Sequence, residues 1–313
     1  MKQVPISVAF AADENYAQHM AVTMLSLLHA RKVAFPVHFT VIGDDLSEKS
    51  VSALTEIAQN NNASISFPVV DFDVFGDLNV NYHFSRAMYG RLLLPDIIDA
   101  DKVLYLDCDI LIRADIFDLW NIDISEYYAG AVIDPCLSGI DKYYIFPSGE
   151  PVIPLGQTYF NSGVLLLNLK KYREDNLMQI VSRFVYENSE SLHFPDQDAL
   201  NVVMQGKWLP LDPCWNVQSS MFMMCYKEKR GDKFPQDIIE AVKNPAIIHY
   251  TDTVKPWHYE YLFPYVEEYY NYLAMTPWYG FKRPNSPNWD SFLRKHRRKF
   301  KRRLKSMFLG YRI

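Results

Sequence analysis

From Pro5 to Ile112 the chain alternates short apolar runs with segments of helical spacing, and nothing else in the sequence limits the fold as much. "PISVAFAADEN" reads as a strand ending in a polar loop, and "YAQHMAVTMLSLLHARK" puts Met20, Met24, Leu27 and Leu28 at helical steps. "PVHFTVIGDD" is a second strand. "SEKSVSALTEIAQNN" is a second helix, with Ser47 as its N-cap and Val51, Leu54, Ile57 and Ala58 on one face. "ASISFPVVDFD" is a third strand interrupted by Pro68, "SRAMYGRLLLPDII" reads as helical until Pro95, and "KVLYLDCDILI" over 102–112 is the next strand. Strand and helix in alternation predict an α/β domain with a largely parallel sheet. Ligands of such sheets sit outside the carboxyl ends of the strands. The polar "AADEN" and the pair Asp107 and Asp109 fall at or near such ends.

Past the first half the pattern loosens. Residues 134–160 are rich in Pro, Gly and aromatic residues, a composition suited to a lid or binding loop. "FNSGVLLLNLKKY" is a strand leading into a helix, "PDQDALNVVMQG" a helix with acidic residues in its first turn, and "AIIHY" a short buried strand that carries His249. The four cysteines, Cys108, Cys136, Cys214 and Cys225, form no CxxC pair, which suits free thiols in a reducing cytoplasm. Asp13 and Glu14 break the first apolar run too early for a signal peptide. No apolar run reaches the ~18 residues of a membrane-spanning helix. No GxGxxG follows the first strand, which disfavours a dinucleotide-binding enzyme.

The 102–112 segment poses a problem of charge. Seven of its eleven residues are apolar, yet Asp107 and Asp109 stand in the middle. Two steps apart on one strand, they point to the same face, with Cys108 opposite. Like charges this close oppose each other's ionisation unless a cation intervenes. A divalent metal fits, because it prefers hard oxygen donors. The alternative is an ordinary pair of strand-end acids matched by Arg or Lys. His249 is open to two readings as well, a satisfied core histidine or a third ligand. With His249 the site becomes O, O, N, which favours Mn2+ over Mg2+.

Six stretches occur together in order: "FAADENY", "YGRLLLP", "KVLYLDCDILI", "YFNSGVLLLNLKKYR", "PDQDALN" and "HYTDTVKPWH". With these, the sequence resembles glycosyltransferase family 8, in its bacterial branch of lipopolysaccharide and lipooligosaccharide galactosyl- and glucosyltransferases. The resemblance covers about residues 5 to 260. It implies a GT-A fold, Rossmann-like with a mixed, mostly parallel sheet flanked by helices, and a retaining transfer of glucose or galactose from a UDP-hexose. Mn2+ is the implied cofactor, with Mg2+ the alternative, and Asp107, Asp109 and His249 the implied ligands. Ala11, Ala12, Asp13, Asn15 and Tyr16 would line the nucleoside pocket, with Arg91 and Cys108 also on the donor and Lys255 on its phosphates. Asp134, Asn161, Asp196 and Gln197 would surround the transferred sugar, Asp196 and Gln197 being the catalytic candidates. One departure stands out. The family has a glycine two or three residues after the position of His249, where this chain has Asp252, a carboxylate unsuited to a phosphate loop.

Retention admits two routes. Double displacement needs a carboxylate on the face opposite UDP, but the residue nearest that position by resemblance is Gln197, a poor nucleophile, and the neighbouring Asp196 reads equally as a hydrogen-bond partner of sugar hydroxyls or a helix N-terminal acid. Front-face substitution, with the departing phosphate taking the acceptor's proton, is therefore favoured. His258, in "KPWH", reads as a loop residue near the acceptor rather than a general base, and His193 has no supporting context. Two other readings compete: a member of the family with a soluble or protein acceptor, and a catalytically silent nucleotide-sugar-binding protein, which the intact acidic pair, His249 and Lys255 oppose.

The charge is divided along the chain. From Phe281 onward there are 12 basic residues and one acid, Asp290, leaving 20 basic against 36 acidic before it, a net of −16. Within the tail, Trp289, Phe292, Leu293, His296, Phe300, Leu304, Met307, Phe308 and Tyr311 recur at steps of about three to four among the basic residues. That is the pattern of an amphipathic helix lying on an anionic membrane. The sequence thus divides into a catalytic domain over 1–280 and a membrane-associating tail over 281–313. The expected partners are a UDP-hexose, a glycolipid acceptor and the inner face of the cell membrane, reached from the cytoplasm. Nucleic acid is not expected beside so acidic a body.

Overall fold

The computed structural model describes residues 4–72, 86–137, 158–189, 192–228, 233–251, 255–258 and 264–281. Seven strands form the main sheet: β1 (Ile6–Asp13), β2 (Val37–Asp44), β3 (Ala63–Ser66), β4 (Lys102–Leu106), β6 (Ala129–Ile133), β7 (Phe160–Asn168) and β8 (Trp208–Pro210). Their order is β3-β2-β1-β4-β7-β6-β8. A second sheet, in the order β5-β10-β9, joins β5 (Ile110–Ile112), β10 (Ile247–His249) and β9 (Val217–Gln218). β1 runs parallel to β2 and β4, β2 to β3, and β6 to β8, while β7 is antiparallel to both its neighbours. The expected mixed, mostly parallel sheet is therefore present.

That topology gathers one set of strand ends along one edge. β1 and β4 are parallel, so Asp13 and Leu106 lie at the same side. β7 is reversed, so its first residues, Asn161, Ser162 and Gly163, come to that side. β6 is reversed again, so Asp134, which follows its last residue, does too.

Both faces of the sheet are covered. On β1, Ile6, Val8 and Phe10 enter one apolar core and Ala9 the other; on β4, Leu104 and Leu106 face the first core and Val103 and Tyr105 the second. The period of two divides each strand between two cores, which is why these strands read as unbroken apolar runs. α1 (Ala17–Ala30) is buried on nearly every side, only Gln18, His29 and Ala30 being partly or fully exposed. α2 (Glu48–Asn60) buries Leu54, Ile57 and Ala58, with Val51 at the margin, and Ser47 caps it by accepting from the Ser50 N–H at 3.2 Å.

Two sequence readings need correction. Residues 102–112 are not one strand: β4 ends at Leu106, β5 begins at Ile110, and Asp107-Cys108-Asp109 forms the turn between the two sheets. Hydroxyls on the buried helix hold that turn. Thr23 Oγ1 lies 2.8 Å from the Ile110 carbonyl and 3.0 Å from that of Cys108, and the Ile112 N–H donates to Ser26 Oγ at 3.0 Å. Nor does Pro95 end the segment before it. A 3-10 turn over Arg86–Leu93 passes into a short helical turn, Leu94–Ile97, with Pro95 in its first positions, where a missing N–H costs nothing. The C-terminal stripe, Asp252 and most of the 134–160 loop lie outside the described residues.

Candidate active site

Asp107 is fixed through its backbone, its N–H donating to the Gly163 carbonyl at 2.8 Å, and Asp109 through its carbonyl, which accepts from the Tyr250 N–H at 3.0 Å. The turn thus bridges β7 and the segment after β10. Its carboxylates converge with His249, the last residue of β10, and the three ligand atoms lie within 4.8 Å of one another. His249 Nε2 is 3.1 Å from Asp109 Oδ1 and 3.7 Å from Asp107 Oδ2. The carboxylates meet as the sequence suggested, but across a turn rather than along one face of a strand.

The acidic pair is matched by Arg and Lys, the second of the two readings, while its free oxygens still face His249. Asp107 Oδ1 accepts from Arg91 Nη2 at 3.0 Å and from the Tyr105 hydroxyl at 2.9 Å. Asp109 Oδ2 accepts from Lys255 Nζ at 2.7 Å. Burial alone would raise the Asp109 carboxyl; the ammonium of Lys255 beside it outweighs this and holds it well below the usual carboxylate range. Yet Asp109 Oδ1 is buried and accepts no hydrogen bond.

The polarity of His249 can be read from a backbone group. The Gly163 N–H can only donate, and it donates to Asn161 Oδ1 at 3.0 Å. Asn216 Nδ2 donates to the same oxygen at 2.9 Å, so Asn216 Oδ1 is the atom 3.0 Å from His249 Nδ1. An amide oxygen only accepts, so Nδ1 carries a proton, and of the two tautomers of a neutral imidazole the network selects the one whose Nε2 lone pair faces both carboxylates. Three electron-rich atoms face one space. Two of them are separated by 3.1 Å, close to the ~3 Å between adjacent ligands of a six-coordinate ion with bonds of about 2.1 Å. Gly163 leaves that space open: a Cβ there would lie 2.1 Å from His249 Cε1 and 2.7 Å from Asp107 Oδ2. The donor set and the cradle fit a divalent cation.

The remaining residues singled out in the sequence line the same edge. Ala11 and Ala12 end β1 with Asp13, whose carboxylate caps a 3-10 turn containing Asn15 by accepting from the Tyr16 N–H at 3.2 Å. Cys108 lies under Ala11, its thiol 3.5 Å from that carbonyl. Tyr16 meets Trp257 edge to face, centroids 6.2 Å apart, and Trp257 stacks on His19 at 3.5 Å. Burial pushes the His19 imidazole down to about 3, so it is a neutral packing surface, and this stack anchors the turn that carries Lys255. His258 caps that turn, its Nδ1 accepting from the Lys255 N–H at 3.3 Å.

Arg91 is buried, and its guanidinium is largely engaged within the protein. Besides Asp107, it donates to the Ser162 carbonyl at 2.8 Å and hydroxyl at 2.9 Å, and its Nε lies 3.0 Å from Asp196 Oδ2. Asp196 Oδ2 accepts no hydrogen bond, and burial raises this carboxyl. Gln197 Oε1 accepts from the Ser162 N–H at 2.9 Å, and its Nε2 donates to the Tyr159 hydroxyl at 3.0 Å. Tyr159 in turn donates to Asp198 at 2.5 Å, and the other Asp198 oxygen accepts from the N–H groups of His193 and Phe194. Asp134 accepts from the Cys136 N–H at 2.9 Å, and burial raises its carboxyl.

Sequence reading missed Asn216, Gly163, Ser162 and Tyr159. The last three stood inside a quoted motif as strand residues with no role. Asn216 lies in "PCWNVQ", which carries no periodic pattern. A surface cavity of about 320 Å³ at the opposite end of β4, lined by Lys102, Asp123 and Asn168 among others, mixes charges of both signs and does not reach the cluster.

A mixed sheet with an acidic turn at its carboxyl edge, a second small sheet beneath and helices on both faces is the architecture of a GT-A glycosyltransferase. The family model described as glycosyl transferase family 8 matches residues 7–261, and the chain belongs to that family of glycosyltransferases. General stress protein A of Bacillus subtilis (strain 168) is 29% identical over 87% of this chain and 94% of its own length. Lipopolysaccharide 1,2-glucosyltransferase of Escherichia coli (strain K12) is 28% identical over 87% of this chain and 79% of its own. The crystal structure of galactosyltransferase LgtC with donor and acceptor sugar analogs superposes with a TM-score of 0.77 at 28% identity, covering 91% of this chain and 99% of that one.

Proposed function

We propose that this glycosyltransferase moves glucose or galactose from a UDP-hexose to a lipopolysaccharide- or lipooligosaccharide-type acceptor, with retention and with Mn2+ held by Asp107, Asp109 and His249. One observation carries the reading. The buried Asp109 Oδ1, which accepts no hydrogen bond, faces the His249 Nε2 lone pair at 3.1 Å, an arrangement that a cation resolves. Asp107, Asp109 and His249 would hold the divalent ion, which would supply charge neutralisation for a departing diphosphate.

The protein's own groups supply binding and orientation. Ala11, Ala12, Asp13, Asn15 and Tyr16, with Cys108 below, form the wall for the nucleoside. Lys255 is the cation for the phosphates, leaving Asp109 to reach them. Asp196 Oδ2, buried and ion-paired with Arg91 Nε at 3.0 Å, accepts from a hydroxyl of the sugar, and Asp134 and Asn161 flank the sugar on the other side. Arg91 braces Asp107 and Asp196 from behind.

The bond from the anomeric carbon to the phosphate oxygen breaks as the bond to the acceptor oxygen forms. The acceptor's proton passes to the phosphate oxygen that leaves. The state of the alternatives supports this front-face route: the Gln197 amide is no nucleophile, and the Asp196 carboxylate is buried and ion-paired with Arg91 at 3.0 Å.

The basic tail over 281–313 would hold the enzyme at the inner face of the membrane, where a glycolipid acceptor is presented. Among the described residues no helix is long and apolar enough to cross a membrane. A soluble or protein acceptor is the second reading, kept because General stress protein A is as similar as the glucosyltransferase. Hydrolysis of UDP-glucose, UDP-galactose, UDP-N-acetylglucosamine and UDP-N-acetylgalactosamine with Mn2+ tests the donor. Turnover of neither hexose donor would overturn it.

A further inference from the structure

We infer that Asn216 is a positioning residue of the metal centre, there to keep the proton off the nitrogen of His249 that faces the carboxylates. The inference rests on the reading of Asp107, Asp109 and His249 as metal ligands. It concerns a residue that touches neither the ion nor the substrate.

A neutral imidazole can carry its proton on either nitrogen. At His249 the carboxylate side would favour Nε2: a proton there would lie between Nε2 and Asp109 Oδ1, 3.1 Å apart, and would satisfy a buried oxygen that accepts no other hydrogen bond. Such a bond would close the cluster on itself and remove the lone pair that a cation needs. Asn216 opposes it. Its side-chain oxygen, 3.0 Å from Nδ1, offers the proton a partner on the far side of the ring.

Asn216 can do this only if its amide does not turn over, and two contacts prevent that. Asn216 Nδ2 donates to Asn161 Oδ1 at 2.9 Å, and Asn161 Oδ1 is itself fixed by the Gly163 N–H at 3.0 Å. A rotated Asn216 would set oxygen against oxygen at Asn161 and offer its N–H groups to His249, which would send the ring's proton to Nε2. Asn216 is fully buried, so water cannot substitute for either partner. The polarity of one backbone N–H on β7 is thus relayed through two amides to the ring, where it leaves Nε2 unprotonated. Partners that orient a ligating histidine commonly matter to metal affinity by ~10–100-fold. An amide that merely fills a polar hole in the core would have no such effect.

Two readouts, neither of them catalytic, separate these roles. The first is Mn2+ affinity without nucleotide, followed by electron paramagnetic resonance, for the wild type, Asn216→Leu and Asn216→Asp. Leu keeps the branched shape and removes the acceptor; Asp keeps an oxygen against Nδ1. We expect Asn216→Leu to bind Mn2+ ~10–100-fold more weakly, and Asn216→Asp to lose less than ~10-fold despite its buried charge. A structural filler gives the reverse order, the charged variant being the more damaged. Equal Mn2+ affinity in the wild type and Asn216→Leu overturns the inference.

The second readout needs no variant and so survives a failure of Asn216→Leu to fold. In metal-free wild-type protein labelled with 15N-histidine, above the pH range where imidazoles titrate, His249 should be protonated at Nδ1 and bare at Nε2. Protonation at Nε2 overturns the inference whatever the variants do. If the wild type binds no Mn2+ either alone or with UDP, the metal reading falls and takes the positioning role with it. A bare Nε2 would then still record the relay, so the two failures can be told apart.

Discussion

Lys255 Nζ lies 2.7 Å from Asp109 Oδ2, on the same carboxylate whose other oxygen faces His249 Nε2 at 3.1 Å. The same ammonium donates to the Tyr250 carbonyl at 2.6 Å. An internal cation therefore sits at the rim of the site proposed for a metal. Charges of one sign a few ångströms apart repel by several kcal/mol even in a screened protein interior, so Lys255 opposes the ion until a diphosphate draws it away. Lys255→Met should tighten Mn2+ binding without nucleotide by ~10-fold or more and weaken UDP binding. Titration calorimetry with each ligand alone checks both. Weaker or unchanged Mn2+ binding in the variant would mean that Lys255 does not compete for the site.

Gly163→Ala adds one carbon where the cluster has no room. The new Cβ would lie 2.1 Å from His249 Cε1 and 2.7 Å from Asp107 Oδ2, so the imidazole or the acidic turn must move. Ligand geometry tolerates little displacement, and loss of Mn2+ binding and of donor hydrolysis is expected. The fold should persist with a destabilisation of about 1–3 kcal/mol, the usual cost of overpacking, read from thermal unfolding. A folded variant that binds Mn2+ normally would refute the close packing of Gly163 against both ligands.

Gln197 is held from both ends, by the Ser162 N–H and by the Tyr159 hydroxyl that Asp198 anchors. Tyr159→Phe removes only that hydroxyl. It should lower kcat while leaving UDP affinity near the wild-type value, as should the harsher Gln197→Ala, because the proposed role of Gln197 is on the sugar and not the nucleotide, and Tyr159 only holds Gln197 in place. Steady-state kinetics and UDP titration separate the two quantities. Collapse of UDP binding with turnover per bound donor preserved would put Gln197 on the nucleotide instead.

Phe281, at the start of the basic segment, meets the His19 ring edge to face with centroids 6.3 Å apart, so the body's packing extends to that point. Removing residues 284–313 keeps this contact and should leave UDP-hexose hydrolysis near the full-length rate. It should abolish binding to anionic liposomes, which for the full chain should weaken as salt rises. Replacing Phe300, Leu304 and Phe308 by Ser separates insertion from simple attraction. Equal liposome binding by the truncated and intact proteins would show that the tail is not the anchor, and loss of hydrolysis would show that it packs on the body.

Much of this was legible in the residues. The alternation of periods gave the α/β class, and the acids at strand ends marked the edge where ligands bind. Asp107, Asp109 and His249 could be named because each interrupts an apolar run, and a charge in such a place needs a partner. Their geometry was harder. The run from Lys102 to Ile112 looks continuous because β4 and β5 are both buried, yet they belong to different sheets, and period alone cannot reveal a turn between two buried strands. The supporting shell was invisible for another reason. Asn216, Tyr159 and Ser162 are ordinary polar residues whose importance lies in partners 55, 39 and 71 residues away, and no local pattern encodes such pairings.

The central claim is that Asp107, Asp109 and His249 hold the divalent cation that donor turnover requires. UDP-hexose hydrolysis, measured in EDTA and then across a Mn2+ titration, tests it most directly when the wild type is compared with Asp109→Asn, a replacement of equal size without the charge. We expect no turnover by the wild type in EDTA, recovery on adding Mn2+, and no recovery in the variant at any Mn2+ concentration that saturates the wild type. Full wild-type turnover in EDTA, or equal turnover by Asp109→Asn, would contradict it.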